Sequence, residues 1–184
     1  MVKAAGVAAA ALIALLPTTA HAASSSDAAV AHPNFAAQAR SAGLTATQEV
    51  GLQAKVDSYL AKAGGTQISP NEISLKGQGV LVVAVPGDKY AKDLSTPGTV
   101  HPNYTCPYLD LCVYSDTYYS GDFINWYYCQ IHYAPYISVG SFKDNQSAGT
   151  VSVLYFVNGT SYSFRSPLND QDIDWAQVYE IKVC

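Results

Sequence analysis

The chain has 184 residues, a formal net charge of −4, and only 13% charged against 49% hydrophobic residues. A weakly acidic chain with no basic stripe argues against a nucleic-acid partner. Its length allows one ordinary domain and a smaller element beside it.

Residues 1–22 read as an export signal. Lys3 supplies the positive start, residues 7–16 a short apolar core, Pro17 a break, and Ala20-His21-Ala22 the small-x-small pattern of a cleavage site. The core is much shorter than the roughly 20 apolar residues of a membrane anchor. The expectation is an extracellular mature chain starting near Ala23, with no membrane anchor. Residues 23–42 hold Ala, Ser and small polar groups, with too little large apolar surface to offset ordering entropy, and read as a flexible leader.

Residues 43–86 predict a helix followed by a hairpin. Thr45 and Gln48 have capping-box spacing. Leu52, Val56, Tyr59, Leu60 and Ala63 recur at helical intervals, and Gly64-Gly65 supplies a helix stop. Ile73 and Leu75 alternate with polar neighbours, then Lys76-Gly77-Gln78-Gly79 turns into the β-branched run 80–85. Such a unit is too small to be stable alone. One role open to it is that of a pro-segment covering an aromatic face of the C-terminal half. Residues 87–103, with Pro97, Gly98 and Pro102, have the composition of a linker.

Residues 104–184 read as all-β. Short apolar runs at 111–114, 123–128, 151–157 and 178–183 are separated by Gly, Asn, Asp or Pro, and Asn158-Gly159 marks a hairpin. The predicted fold class is mainly β, a small sandwich or barrel preceded by the helix–hairpin unit. Export implies an oxidising compartment, so Cys106, Cys112, Cys129 and Cys184 form two disulfides. Three pairings are possible, and Cys106–Cys112 with Cys129–Cys184 is favoured. The cysteines lack the C-x2-C spacing of a zinc site.

The segment CPYLDLCVYSDTYYSGD, residues 106–122, resembles the opening of the Streptomyces metalloprotease inhibitor family (peptidase inhibitor family I36). The likeness rests on Cys106-Pro107, Leu111-Cys112, Tyr114-Ser115, Thr117 and Ser120-Gly121, with a weaker echo at Ser141-Phe142 and Asn145. It covers about residues 106–157 and implies a βγ-crystallin-like Greek-key sandwich. Tyr114, Tyr119 and Gly121 are similar to the hairpin of that fold, in which a glycine lets the backbone pass under an aromatic ring. The family's second short disulfide loop, which presents the bond offered to the protease, has no counterpart here, because Cys129 and Cys184 lie far apart. The resemblance also raises calcium. Residues 144–149 begin with Asp144-Asn145 but place Ala148 and Gly149 where hydroxyl ligands belong, and a plain turn explains them as well.

Catalytic residues are not evident, and neither a cofactor nor a metal is expected. His21, His32 and His101 fall in the signal, leader and linker, and His132 stands alone in the β domain. Asp170, Asp172 and Asp174 alternate without an acid–base companion and read as a solvated loop. Tyrosine is the excess. Nine of the fourteen lie between residues 104 and 136. Adjacent tyrosines on a strand face opposite ways, so Tyr118, Tyr119, Trp126 and Tyr128 are the candidate binding surface. The expected function is a secreted, non-enzymatic binding protein acting on an extracellular protease. The alternative is a polysaccharide or cell-wall module. Sequons stand at Asn103, Asn145 and Asn158.

Overall fold

A computed structural model describes residues 35–95, 105–133 and 135–184. The signal, the leader up to residue 34, linker residues 96–103, His21, His32, His101 and the Asn103 sequon lie outside the described residues.

Helix α1, Phe35–Ser41, occupies the end of the segment read as a leader, and its Ala39 is buried. That part of the leader is therefore ordered structure. Helix α2, Ala46–Ala63, begins as its sequence predicts. The Thr45 hydroxyl accepts from the Gln48 N–H at 3.3 Å, and the Gln48 side chain accepts from the Thr45 N–H at 3.1 Å. Gly64, at φ 70°, ends it by donating its N–H to the Leu60 carbonyl.

Eleven strands follow among the described residues. They are β1 (Thr66–Gln67), β2 (Glu72–Ser74), β3 (Gly79–Val82), β4 (Leu111–Asp116), β5 (Ser120–Trp126), β6 (Ile131–Tyr133), β7 (Val139–Asp144), β8 (Val151–Phe156), β9 (Ser161–Arg165), β10 (Leu168–Asp174) and β11 (Val178–Lys182). A single 3-10 turn, Trp175–Gln177, precedes β11. All strand pairs in the two sheets are antiparallel, and the sheets run β1-β2-β3-β5-β4-β7-β10 and β6-β11-β8-β9.

The order contains two four-strand Greek keys, β4–β7 and β8–β11, each lending its third strand to the other's sheet. The mainly β Greek-key sandwich with a helix and hairpin before it is present. The hairpin is not set apart from it: β3 pairs with β5 in register Leu81↔Ile124 and Val82↔Phe123, so one ladder crosses from the helix–hairpin unit into the sandwich. The start of the predicted linker joins in, with Ala91 and Leu94 buried and Tyr90 bridged to Gly121.

Register sorts the core. Ile73, Leu81, Ile124, Val113 and Phe142 sit opposite one another across five strands and share a face. That face packs Leu52 and Val56 of α2 at one end and Leu154 and Ile181 of the second sheet at the other, in one apolar cluster. The helix and the second sheet therefore cover the same side of the long sheet. Val82, Phe123 and Tyr114 belong to the opposite face and pack with Ala84, Ala91 and Cys112. Trp175 anchors the sandwich, donating its Nε1–H to the Tyr114 carbonyl at 2.9 Å.

The acidic segment 168–174 is a strand, β10, rather than a loop. A bulge between Asp170 and Ile173 breaks its alternation, so the three aspartates do not form one row. Asp174 instead caps the following turn by accepting from the Ala176 N–H.

Candidate binding surface

Both disulfides form in the favoured pairing, Cys106–Cys112 and Cys129–Cys184. Such bonds belong to an oxidising environment. No helix among the described residues is long and apolar enough to cross a membrane.

The smaller ring is held from beneath. Asn145, at the end of β7, donates its side-chain amide to the carbonyls of Cys106 and Pro107 at 3.1 and 3.0 Å. Its backbone carbonyl accepts from the Leu109 N–H, and its N–H reaches the Asp110 carbonyl. Asp110 is 4% exposed and accepts from the Asn125 amide at 2.5 Å. Burial lifts its carboxyl above the ordinary range, while the Asn125 bond pulls the other way. These bonds fix the ring backbone and leave Tyr108, 69% exposed, and Leu109 facing outward. Leu109 sits at φ 78°, a left-handed conformation that a leucine adopts only when its surroundings hold it there.

Within residues 144–149, Asn145 therefore serves the ring. Asp144 is buried, and its Oδ1 accepts from the Gln146 N–H and side chain. Among the described residues no three His, Cys, Asp or Glu side chains could together hold a metal ion. The Asn145 sequon is spoken for in the same way, because its amide is already donated twice.

Beside the ring, the loop after β5 carries Tyr127 and Tyr128, both about half exposed, with rings edge-on at 5.2 Å. Cys129–Cys184 fastens this loop, and the Val183 N–H donates to the Gln130 carbonyl. Leu109, the two tyrosines, Gln130 and Gln146 line an open cleft of about 590 Å³. Two covalent rings thus frame one concave, aromatic and amide-lined surface.

The four residues expected at a binding surface do not meet there. Tyr118 is 64% exposed at the β4–β5 turn. Tyr128 stands at the opposite end of β5, on the order of 20 Å away along the strand. Tyr119 is tucked in, its ring 5.8 Å from that of Tyr114 and 4.2 Å below the Lys143 ammonium. Trp126 is not a platform: it is 2% exposed and stacks on the His132 ring at 4.7 Å. The outward assignment fails because β5 is an interior strand, paired with both β3 and β4, with apolar residues covering its inner face. The β4–β5 turn itself is as the tyrosine and glycine pattern suggests. Tyr118 and Tyr119 both take positive φ, and Gly121, at φ 79°, lies where a Cβ would overlap Ser115 Oγ and the Asp116 carboxylate.

Tyr108, Leu109 and Tyr127 are the surface residues that sequence reasoning passed over. Their signal was position: two lie inside the ring closed by Cys106–Cys112, and Tyr127 adjoins Tyr128 before Cys129. No protein-family model, curated protein or solved structure matches the chain.

Proposed function

We propose that this chain is an exported, non-enzymatic binding protein that inhibits an extracellular protease by presenting the Cys106–Cys112 ring. The observation that carries this reading is the ring's support: Asn145 bonds its backbone from below while Tyr108 and Leu109 project. A loop already fixed in shape loses little entropy on binding. Tyrosine at its tip supplies a large apolar face with a polar end, the residue type that dominates interface energetics. The likeness of residues 106–122 to a metalloprotease inhibitor family points to the class of partner. The long-range second disulfide means that contact would run through this ring and the Tyr127–Tyr128 cleft, not through a second short loop.

Titration of the mature protein against thermolysin-like and serine proteases tests it. Stoichiometric loss of protease activity, weakened at least tenfold by Tyr108→Ala, is the expected result. Unchanged rates, or cleavage of the chain within the ring, would overturn it.

A second reading, polysaccharide binding, draws support from the outer face of the smaller sheet. Tyr133, Glu180 and Tyr155 are direct neighbours across β6, β11 and β8. Two strand spacings put the tyrosines about 10 Å apart, matching the two-sugar repeat of an extended β-1,4-linked chain, with a carboxylate between them for hydroxyls. Retention on chitin, cellulose or peptidoglycan that survives high salt and is lost on Tyr133→Ala would favour it over inhibition.

A further inference from the structure

Helix α2 and the second sheet lie on one side of the long sheet, and the seam between them is incompletely filled. A cavity of about 530 Å³ remains there. Ile124 and Trp126 of β5 form part of its lining, Leu75 comes from the β2–β3 turn, and Ile131 and Tyr133 from the edge strand β6. This is an apolar and aromatic chamber of the size that small molecules occupy, ~300–1,000 Å³.

Its charge is one-sided. Lys62, in the last turn of α2, and Lys76, in the β2–β3 turn, both line the cavity, and among the described residues no carboxylate does. Among the same residues neither lysine takes part in an ion pair. Lys76 is held at φ 55° beside Gly77 at φ 77°, in a turn closed by the Gln78 N–H to Leu75 carbonyl bond. Positive φ at both central residues is what a tight hairpin turn between two strands requires, and this turn sets the Lys76 side chain beside the cavity.

His132 lines the same cavity and is 7% exposed. Burial lowers its pKa, so the two lysines carry the positive charge of the site.

We propose that this seam is a binding site for a small amphiphilic anion, a carboxylate with an apolar body, whose charged head meets Lys62 and Lys76 while its body lies over Ile131 and Tyr133. The site is separate from the disulfide ring and its cleft, so it stands whether or not the chain inhibits a protease.

Calorimetric titration of the mature protein with decanoate, decanol and decylamine tests this, since the three share a chain and differ in head group. Decanoate binds with one-to-one stoichiometry, decanol at least tenfold more weakly, and decylamine without measurable heat. Lys62→Ala/Lys76→Ala lowers decanoate affinity at least tenfold, whereas Lys62→Arg/Lys76→Arg retains it and Lys89→Ala, away from the cavity, leaves it unchanged. Ile131→Trp, which fills the chamber from the sheet edge, abolishes binding of decanoate and decanol alike. Absence of decanoate heat up to millimolar concentration would overturn the proposal. Equal affinity for the three compounds, or an unaffected double-alanine variant, would do the same.

Discussion

Asp122 on β5, 1% exposed, accepts a 2.7 Å hydrogen bond from the Lys55 ammonium on α2. The same carboxylate takes the Tyr59 hydroxyl at 2.5 Å and the Ala84 N–H at 2.8 Å. It is one of two polar fastenings among the described residues between α2 and the long sheet, the other being the amide pair of Gln53 and Gln67 on β1. Lys55 can turn to water if released, because its side chain is 42% exposed, but the buried Ala84 N–H cannot. Asp122→Ala should cost about 3 kcal/mol, chiefly from stranded donors. Lys55→Met, which keeps the apolar stem, should cost about 1 kcal/mol or less. Urea unfolding of the two variants measures both, and equal losses would refute this account.

Three tyrosines should resist alkali. Burial first, then the Asp122 charge, raises Tyr59 well above the usual phenol range. Burial with a neighbouring phenol does the same for Tyr114 and Tyr136. A folded-state pKa above the unfolded value gives stability that is complete below about pH 10. That stability declines as pH climbs toward the folded value. Absorbance titration should show these three of the fourteen tyrosines ionising only as circular dichroism reports unfolding.

Acid should expose His132. Burial against Trp126 lowers its pKa, outweighing the Tyr128 carbonyl that favours the proton. A depressed folded value gives stability that is complete above about pH 6.5 and lost as pH falls through the folded pKa. His132→Phe, which keeps a ring on Trp126, should flatten the slope of stability between about pH 7 and 5. An unchanged slope would place the proton elsewhere.

Two glycines hold strands close. A Cβ on Gly140 would overlap Trp175 Nε1 and the Tyr114 carbonyl, the pair that hydrogen-bond across the core. One on Gly121 would strike Ser115 and Asp116, and its φ of 79° disfavours any side chain. Gly140→Ala and Gly121→Ala should each lower stability by roughly 2 kcal/mol or more. Thermal unfolding gives the comparison with Gly159→Ala, where a Cβ meets nothing within 4 Å. Gly159 has a positive φ of its own, so its smaller loss isolates the steric part.

The two disulfides should differ in worth. In the loop-entropy model the Cys106–Cys112 bond contributes about 2 kcal/mol and Cys129–Cys184 about 4 kcal/mol. Paired Cys→Ser variants in urea test the order. If the ring carries binding, Cys106→Ser/Cys112→Ser should lose protease inhibition while remaining folded.

What the sequence made legible was local. The Thr45–Gln48 cap, the glycine stop, the Asn158-Gly159 hairpin and the runs that became β4, β5, β8 and β11 all announce themselves within a few residues. What it concealed depends on distant partners. The edge of β5 that receives β3 is chosen by the match of Leu81 to Ile124, residues 43 apart in sequence. That pairing buried Trp126 and so removed it from the surface. The candidate binding face shifted for the same reason. Tyr108 and Leu109 gain their significance from Asn145, a turn residue whose amide closes a ring nearly forty positions earlier.

The Cys129–Cys184 bond ties the loop following β5 to the segment following β11. Any single peptide cut between those two cysteines leaves both fragments covalently joined. The exposed turn at residues 147–149 can thus be nicked without release of either piece. Strand exchange reinforces this, since the fragment carrying β6 remains laced into the sheet built by β8, β9 and β11. Such construction makes damage survivable: the chain can be broken and the particle stay whole.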